Sequence, residues 1–153
     1  MNIASHPHTL EEELKEVRNT LSGQDGIPGD AVEWEFHLEE GIPLDILVPK
    51  TIVLGFIMYF LHFGRIRKSE KGKVEISVRK TGPGILIIVT DNRQLHYSNY
   101  DRGETEGSRL EKLNEVINAF NRDTDHSVHY QILDMAYSEP GKSGTRVLIS
   151  INF

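Results

Sequence analysis

A chain of 153 residues with 38% hydrophobic and 26% charged residues has the size and balance of one ordinary globular domain. Its formal net charge of −6 argues against broad electrostatic attraction to nucleic acid or anionic lipid. It has no cysteine, which excludes disulfide frameworks and thiolate metal sites.

Residues 1–8 read as a disordered start, and they lack the basic and apolar regions of a signal peptide. HTLEEELKEVRNTL then places Leu10, Leu14, Val17 and Leu21 at helical spacing, with Thr9 as N-cap and Glu12 as its capping-box partner. SGQDGIPGD breaks the helix. AVEWEFHL alternates, putting Val32, Trp34, Phe36 and Leu38 on one face of a half-buried strand. EEGIPLDILVP is a turn and an extended approach, and Pro49 suits the first position of a helix ending at a C-cap glycine, Gly64.

That helix carries the run VLGFIMYFLHFG, Val53 to Gly64. The apolar stretch from Thr51 to Leu61 falls well short of the roughly 20 residues a membrane span needs. KVEISVRK is a second alternating strand, and ILIIVT a third, apolar throughout and so expected at the covered centre of a sheet. DNRQLHYSNYDRGETEGSR has no periodicity, and loops of this length in compact domains are often functional. RLEKLNEVINAF restores the helical period, and SVHYQILDMAY and TRVLISINF close the chain as two strands around SEPGKSG. The element order predicts an α+β fold, a two-layer sandwich of a mixed sheet with helices on one face.

Five stretches, in order, resemble the landmarks of one family. They are the leader TLEEELKEVRNTL, the helix segment VPKTIVLGFIMYFLHFG, the strand end IIVTDNRQ, the helix start GSRL and the terminal GTRVLISINF. Together the chain from Thr9 to Phe153 resembles the ATP-binding (Bergerat-fold) domain of sensor histidine kinases. This domain belongs to the gyrase, heat-shock chaperone, histidine kinase and MutL superfamily, and the likeness is greatest to its LytS-type branch. Residues 9–153 would then be one histidine kinase-like ATPase domain.

The resemblance implies a nucleotide site and assigns its positions. Asp91 falls where the family's aspartate accepts a hydrogen bond from the adenine amino group, with Asn92 after it. Gly107 and Leu110 fall at the lid and the helix start, and Gly144 and Thr145 at the terminal pair. The N box, whose glutamate handles protons and whose asparagine holds Mg²⁺ in the family, falls on Met58 and Tyr59, followed by His62 and Phe63. Mg²⁺ needs oxygen ligands near 2.1 Å in octahedral geometry. A thioether cannot supply one, a neutral phenol is a poor substitute for an amide oxygen, and Met58 cannot accept a proton. Arg93 and Leu95 replace the glycines expected beside the base, and Arg109 replaces the second lid glycine, where it could still attract phosphate.

The reading is therefore the C-terminal ATPase domain of a bacterial two-component sensor kinase in degenerate form, a pseudokinase acting as a structural or regulatory signalling module. The alternative is an active ATP-binding domain that drives histidine autophosphorylation from an atypical pocket. In the degenerate reading no residue is catalytic and no cofactor or metal is expected; ATP with Mg²⁺ belongs to the alternative. Expected partners are a second copy of the chain and a response regulator or phosphoacceptor domain, with no nucleic acid and no direct membrane contact. The expected location is cytoplasmic, as the inner part of a membrane-anchored sensor, with this chain an excised fragment.

Three outcomes stay open for the apolar helix face: collapse of the pocket, cover by a partner, or a pocket for another small ligand. GKS in EPGKSGT resembles a P-loop, but Ala136 stands where its first glycine belongs, so a hairpin turn is expected. The seven histidines follow no zinc spacing.

Overall fold

The computed structural model describes residues 7–23, 32–65, 71–95, 106–135 and 143–153. The expected start 1–8 and the SEPGKSG turn lie largely outside this set. Pro7 and His8 are inside it: β1 (Pro7–Thr9) pairs antiparallel with β3 (Leu47–Pro49).

α1 (Leu10–Leu21) starts as its sequence dictates. Thr9 accepts from the Glu12 amide, and the Glu12 carboxylate accepts from the Thr9 amide, the reciprocal capping box. Leu10, Leu14, Val17 and Leu21 are buried as one stripe. Each such side chain contributes about 1.5–3 kcal/mol by leaving water.

β2 (Val32–Leu38), β5 (Gly72–Lys80), β6 (Gly84–Asp91), β8 (Ser127–Asp134) and β9 (Thr145–Asn152) form the main sheet in the order β2-β5-β6-β9-β8. β2 pairs parallel with β5, and the other three pairings are antiparallel. α1, α2 (Ile52–Phe63) and α3 (Glu106–Asp123) pack on one face over a core that includes Val74, Ile76, Ile87, Val89, Val147 and Ile149. This is the expected α+β sandwich.

β6 is central, as expected. Its cover differs from the expectation: burial alternates along it, with Leu86, Ile88 and Thr90 only half-buried on the outer face. No described helix covers that face, so the run is apolar on both sides without being enclosed on both.

The start of α2 also differs. Pro49 ends β3 instead of opening the helix, and the N-cap is Thr51, held at φ 67° with no side-chain cap of its own. At the other end Gly64 is the C-cap but is extended, at φ −82°, not left-handed. It begins β4 (Gly64–Arg65), which pairs antiparallel with β7 (Gln94–Leu95). No helix among the described residues is long and apolar enough to cross a membrane.

Candidate functional site

Strand register brings the site together at one end of the sheet. Asp91 closes β6 on the helix-covered face, paired across to Val74 on β5 and to Thr145 on β9. The β4–β7 pairing pins the end of α2 beside it. Four consecutive residues, Asp91 to Gln94, then spend their side chains on the fold.

Asp91 is 0% exposed. Its Oδ1 accepts from the Arg93 backbone N–H at 2.8 Å, and Arg93 Nη1 donates to Oδ1 and Oδ2 at 3.0 and 2.9 Å. Burial pushes the Asp91 carboxyl above its ordinary range, although the Arg93 charge and hydrogen bonds pull it the other way. Arg93 itself is only 8% exposed.

Asn92 stitches the site to the start of β5. Its Oδ1 accepts from the Lys73 N–H at 2.9 Å, and its Nδ2 donates to the Lys71 carbonyl at 2.9 Å. Gln94 reaches the other side, donating to Asp134 Oδ2 at 2.8 Å and accepting from the Gly144 N–H at 3.3 Å. Thr145 is buried, and its hydroxyl donates to the Arg93 carbonyl at 3.0 Å. Gly144 sits at φ +123°, where a Cβ would stand 2.5 Å from the Asp91 carbonyl oxygen, so glycine is required there twice over.

The remaining predicted positions lie on the helices. Gly107 falls in the first turn of α3, and half-buried Leu110 packs on the core one turn later. Arg109 beside it is half-buried. On α2, Tyr59 is 1% exposed, with its ring 6.0 Å from Phe60 and 5.3 Å from half-buried Phe63. Met58 is 36% exposed and His62 is exposed, its ring 4.5 Å from that of Phe63. Leu95 joins the Asp91 segment to Gly64 through β7.

These residues do not fit a Mg²⁺–nucleotide of the kind the resemblance implies. The two positions that the resemblance assigns to the N box present an exposed thioether and a phenol ring buried beside Phe60 and Phe63, and the carboxylate expected to meet the base already holds a guanidinium. Among the described residues, the Asp91, Asn92 and Gln94 side chains are engaged in holding the fold, and neither Met58 nor Tyr59 offers a carboxylate or amide oxygen.

Glu13 is the residue the sequence did not single out. It is fully buried on α1, and it caps α2 from across the fold. Its Oε1 accepts from the Thr51 N–H at 2.8 Å, and its Oε2 from the Val53 and Leu54 N–H groups at 3.0 and 2.9 Å. His8 Nε2 lies 2.6 Å from Oε1, and this hydrogen bond raises the His8 pKa against the opposing effect of burial.

Among the described residues, two groups of three side chains converge closely enough to meet an ion, His8–Glu13–Glu16 and Glu35–His37–Glu75. In the first, the Glu13 oxygens are spent on α2. In the second, the imidazole bridges exposed Glu35 and half-buried Glu75 at 3.2 Å each.

No family model and no curated relative matches the sequence. Solved structures do match. A histidine kinase domain from the Erythrobacter litoralis EL346 blue-light activated histidine kinase superposes with a TM-score of 0.63 at 13% identity, covering 94% of this chain and 61% of that one. The mycobacterial sensor histidine kinase MprB gives 0.61 at 13% identity, with 97% and 96% covered. A nucleotide-free catalytic domain of the histidine kinase ThkA gives 0.59 at 13% identity, with 95% of both chains covered. The chain spans about three fifths of the first of these, and nearly all of the other two. Its fold is that of histidine kinase catalytic domains.

Proposed function

We propose that the chain is a histidine kinase-like ATPase domain of a bacterial two-component sensor, LytS-like in its landmarks, that has lost ordinary Mg-ATP binding and phosphotransfer. It serves as a structural or regulatory signalling module on the cytoplasmic side of a membrane-anchored sensor. Its partners are a second copy of the chain and a response regulator or phosphoacceptor domain.

The observation that carries this reading is the state of α2. Phosphoryl transfer depends on positioning and on neutralising charge, and the metal supplies much of that neutralisation. Where an amide oxygen would hold the ion, Tyr59 is buried against Phe60 and Phe63, and Met58 beside it can accept no proton. Of the outcomes open to the apolar helix, collapse of the pocket is the one this burial favours.

Isothermal titration with ATP and Mg²⁺ tests the proposal, and the expected result is no magnesium-dependent heat. Micromolar binding that requires the metal would overturn it. The active alternative draws on Asp91, Gly107 and the Gly144–Thr145 pair, which keep the family's identities. It requires transfer of labelled phosphate from ATP to a co-supplied phosphoacceptor domain.

A further inference from the structure

Asp91 is a fully buried carboxylate, and a buried charge persists only when paired and hydrogen-bonded. Its partner is Arg93, two residues on. Nη1 reaches both carboxylate oxygens, and the Arg93 backbone N–H closes the turn on Oδ1.

The surroundings are shaped to that side chain. A Cβ at Gly72, at the start of β5, would collide with Nη2 and stand 2.9 Å from Cζ. A Cβ at Gly64, at the end of α2, would stand 2.5 Å from Arg93 Cβ and 2.9 Å from its Cδ. Two glycines from different elements thus clear one continuous bed, the first for the guanidinium plane and the second for the aliphatic stem. The Thr145 hydroxyl holds the Arg93 carbonyl, so the backbone beneath the side chain is fixed as well.

We propose that Asp91, with the glycine-lined bed formed by Gly64 and Gly72, is a guanidinium site whose resident ligand is Arg93, so that the chain itself closes the end of β6 to nucleobases. This deepens the function proposed above by naming what holds the site, yet it does not depend on the fate of the magnesium ligands. A planar ligand with an amino edge reaches Asp91 only by expelling Arg93, which leaves its nearly buried charge without its carboxylate. The site selects for shape as well as charge. A guanidinium is flat and lies along a peptide plane, whereas an ammonium is a compact point charge that cannot.

Two measurements on the whole chain test this. In nitrogen-resolved NMR of the arginine side chains, Arg93 should show slowed guanidinium rotation and protected Nη–H signals. A freely rotating, rapidly exchanging Arg93 overturns the proposal without any variant. In the second, Arg93→Ala should lose thermal stability. Millimolar ethylguanidinium should restore most of the lost midpoint, while equal ethylammonium or adenosine should restore little. Equal rescue by ethylammonium reduces the site to a bare charge and overturns it, as does rescue by adenosine. Should Arg93→Ala fail to fold, Arg93→Lys serves: retained charge with a lowered midpoint supports the site, and an unchanged midpoint overturns it. Magnesium-dependent ATP binding with the Arg93 signals unchanged would sink the degenerate reading alone. Adenine that frees those signals would sink this inference.

Discussion

At the scale of single residues, two ionisable groups, buried Asp91 and half-buried His8, tie stability to pH in the same direction. Burial raises the Asp91 carboxyl above 3.8 despite Arg93, so the folded chain holds its proton where the unfolded chain has released it. Asp91 therefore contributes stability that is complete below 3.8 and is lost as pH rises through its folded value. Asp91→Asn cannot titrate. The urea midpoint of the wild type relative to Asp91→Asn should fall as pH rises through that interval, and a rise would contradict the assignment. His8 behaves likewise for another reason, since its hydrogen bond to Glu13 favours the charged ring. Its contribution is complete below 6.5 and is lost as pH rises through the raised folded value. The urea midpoint of the wild type relative to His8→Gln should therefore fall as pH rises above 6.5 and through the raised folded value, and a flat difference would refute the pairing. Neither partnership was visible in the sequence alone. Arg93 was legible only as a side chain where a glycine was expected, and Gly64 was read as a helix-ending glycine. Its extended backbone and its closeness to the Arg93 stem give it another purpose.

At the scale of elements, local patterns were legible and long-range ones were not. The capping box of α1 and the alternation of β2 and β5 follow from neighbours in sequence, so reading them required no tertiary information. The N-terminus of α2 is different, because its cap comes from a residue 38 to 41 positions earlier. In the sequence Glu13 is one of three consecutive glutamates on an amphipathic helix and looks solvated. In the fold it answers three N–H groups that Thr51, in its left-handed conformation, leaves without a side-chain acceptor. Removing it leaves those donors buried and the helix dipole unopposed. Glu13→Ala should therefore destabilise the fold by about 3 kcal/mol, and Glu13→Gln, which keeps one oxygen acceptor, by less. Urea unfolding gives the magnitude. Faster exchange at the Val53 and Leu54 amides in Glu13→Gln should show that the loss begins at α2, and unchanged exchange there would remove the trans-cap from the account.

At the scale of the whole molecule, the sandwich followed from element order and apolar periodicity, but its strand order did not. The parallel pairing of β2 with β5 and the insertion of β9 between β6 and β8 depend on contacts between strands far apart in sequence, such as Val32 with Gly72 and Gly84 with Asn152. The same limit applied to the site, whose meaning depends on whether Tyr59 points into a pocket or into the core. It is buried among aromatic rings, so the position that the resemblance assigns to the N box is part of what holds the domain together. Introducing the oxygens that the resemblance implies should then work against the fold. Tyr59→Asn removes a buried ring and leaves an amide in its place, at about 3–5 kcal/mol by the cavity and desolvation terms. That is a large part of the 5–15 kcal/mol by which a domain is ordinarily stable. The double variant Met58→Glu with Tyr59→Asn should thus show a much lower urea midpoint. It should also give no magnesium-dependent heat with ATP, because Arg93 still occupies Asp91. A double variant as stable as the wild type that also binds Mg-ATP would mean the cavity had been kept all along and only its ligands exchanged. Loss of stability without gain of binding places the change in the core, where the aromatic rings of α2 now meet.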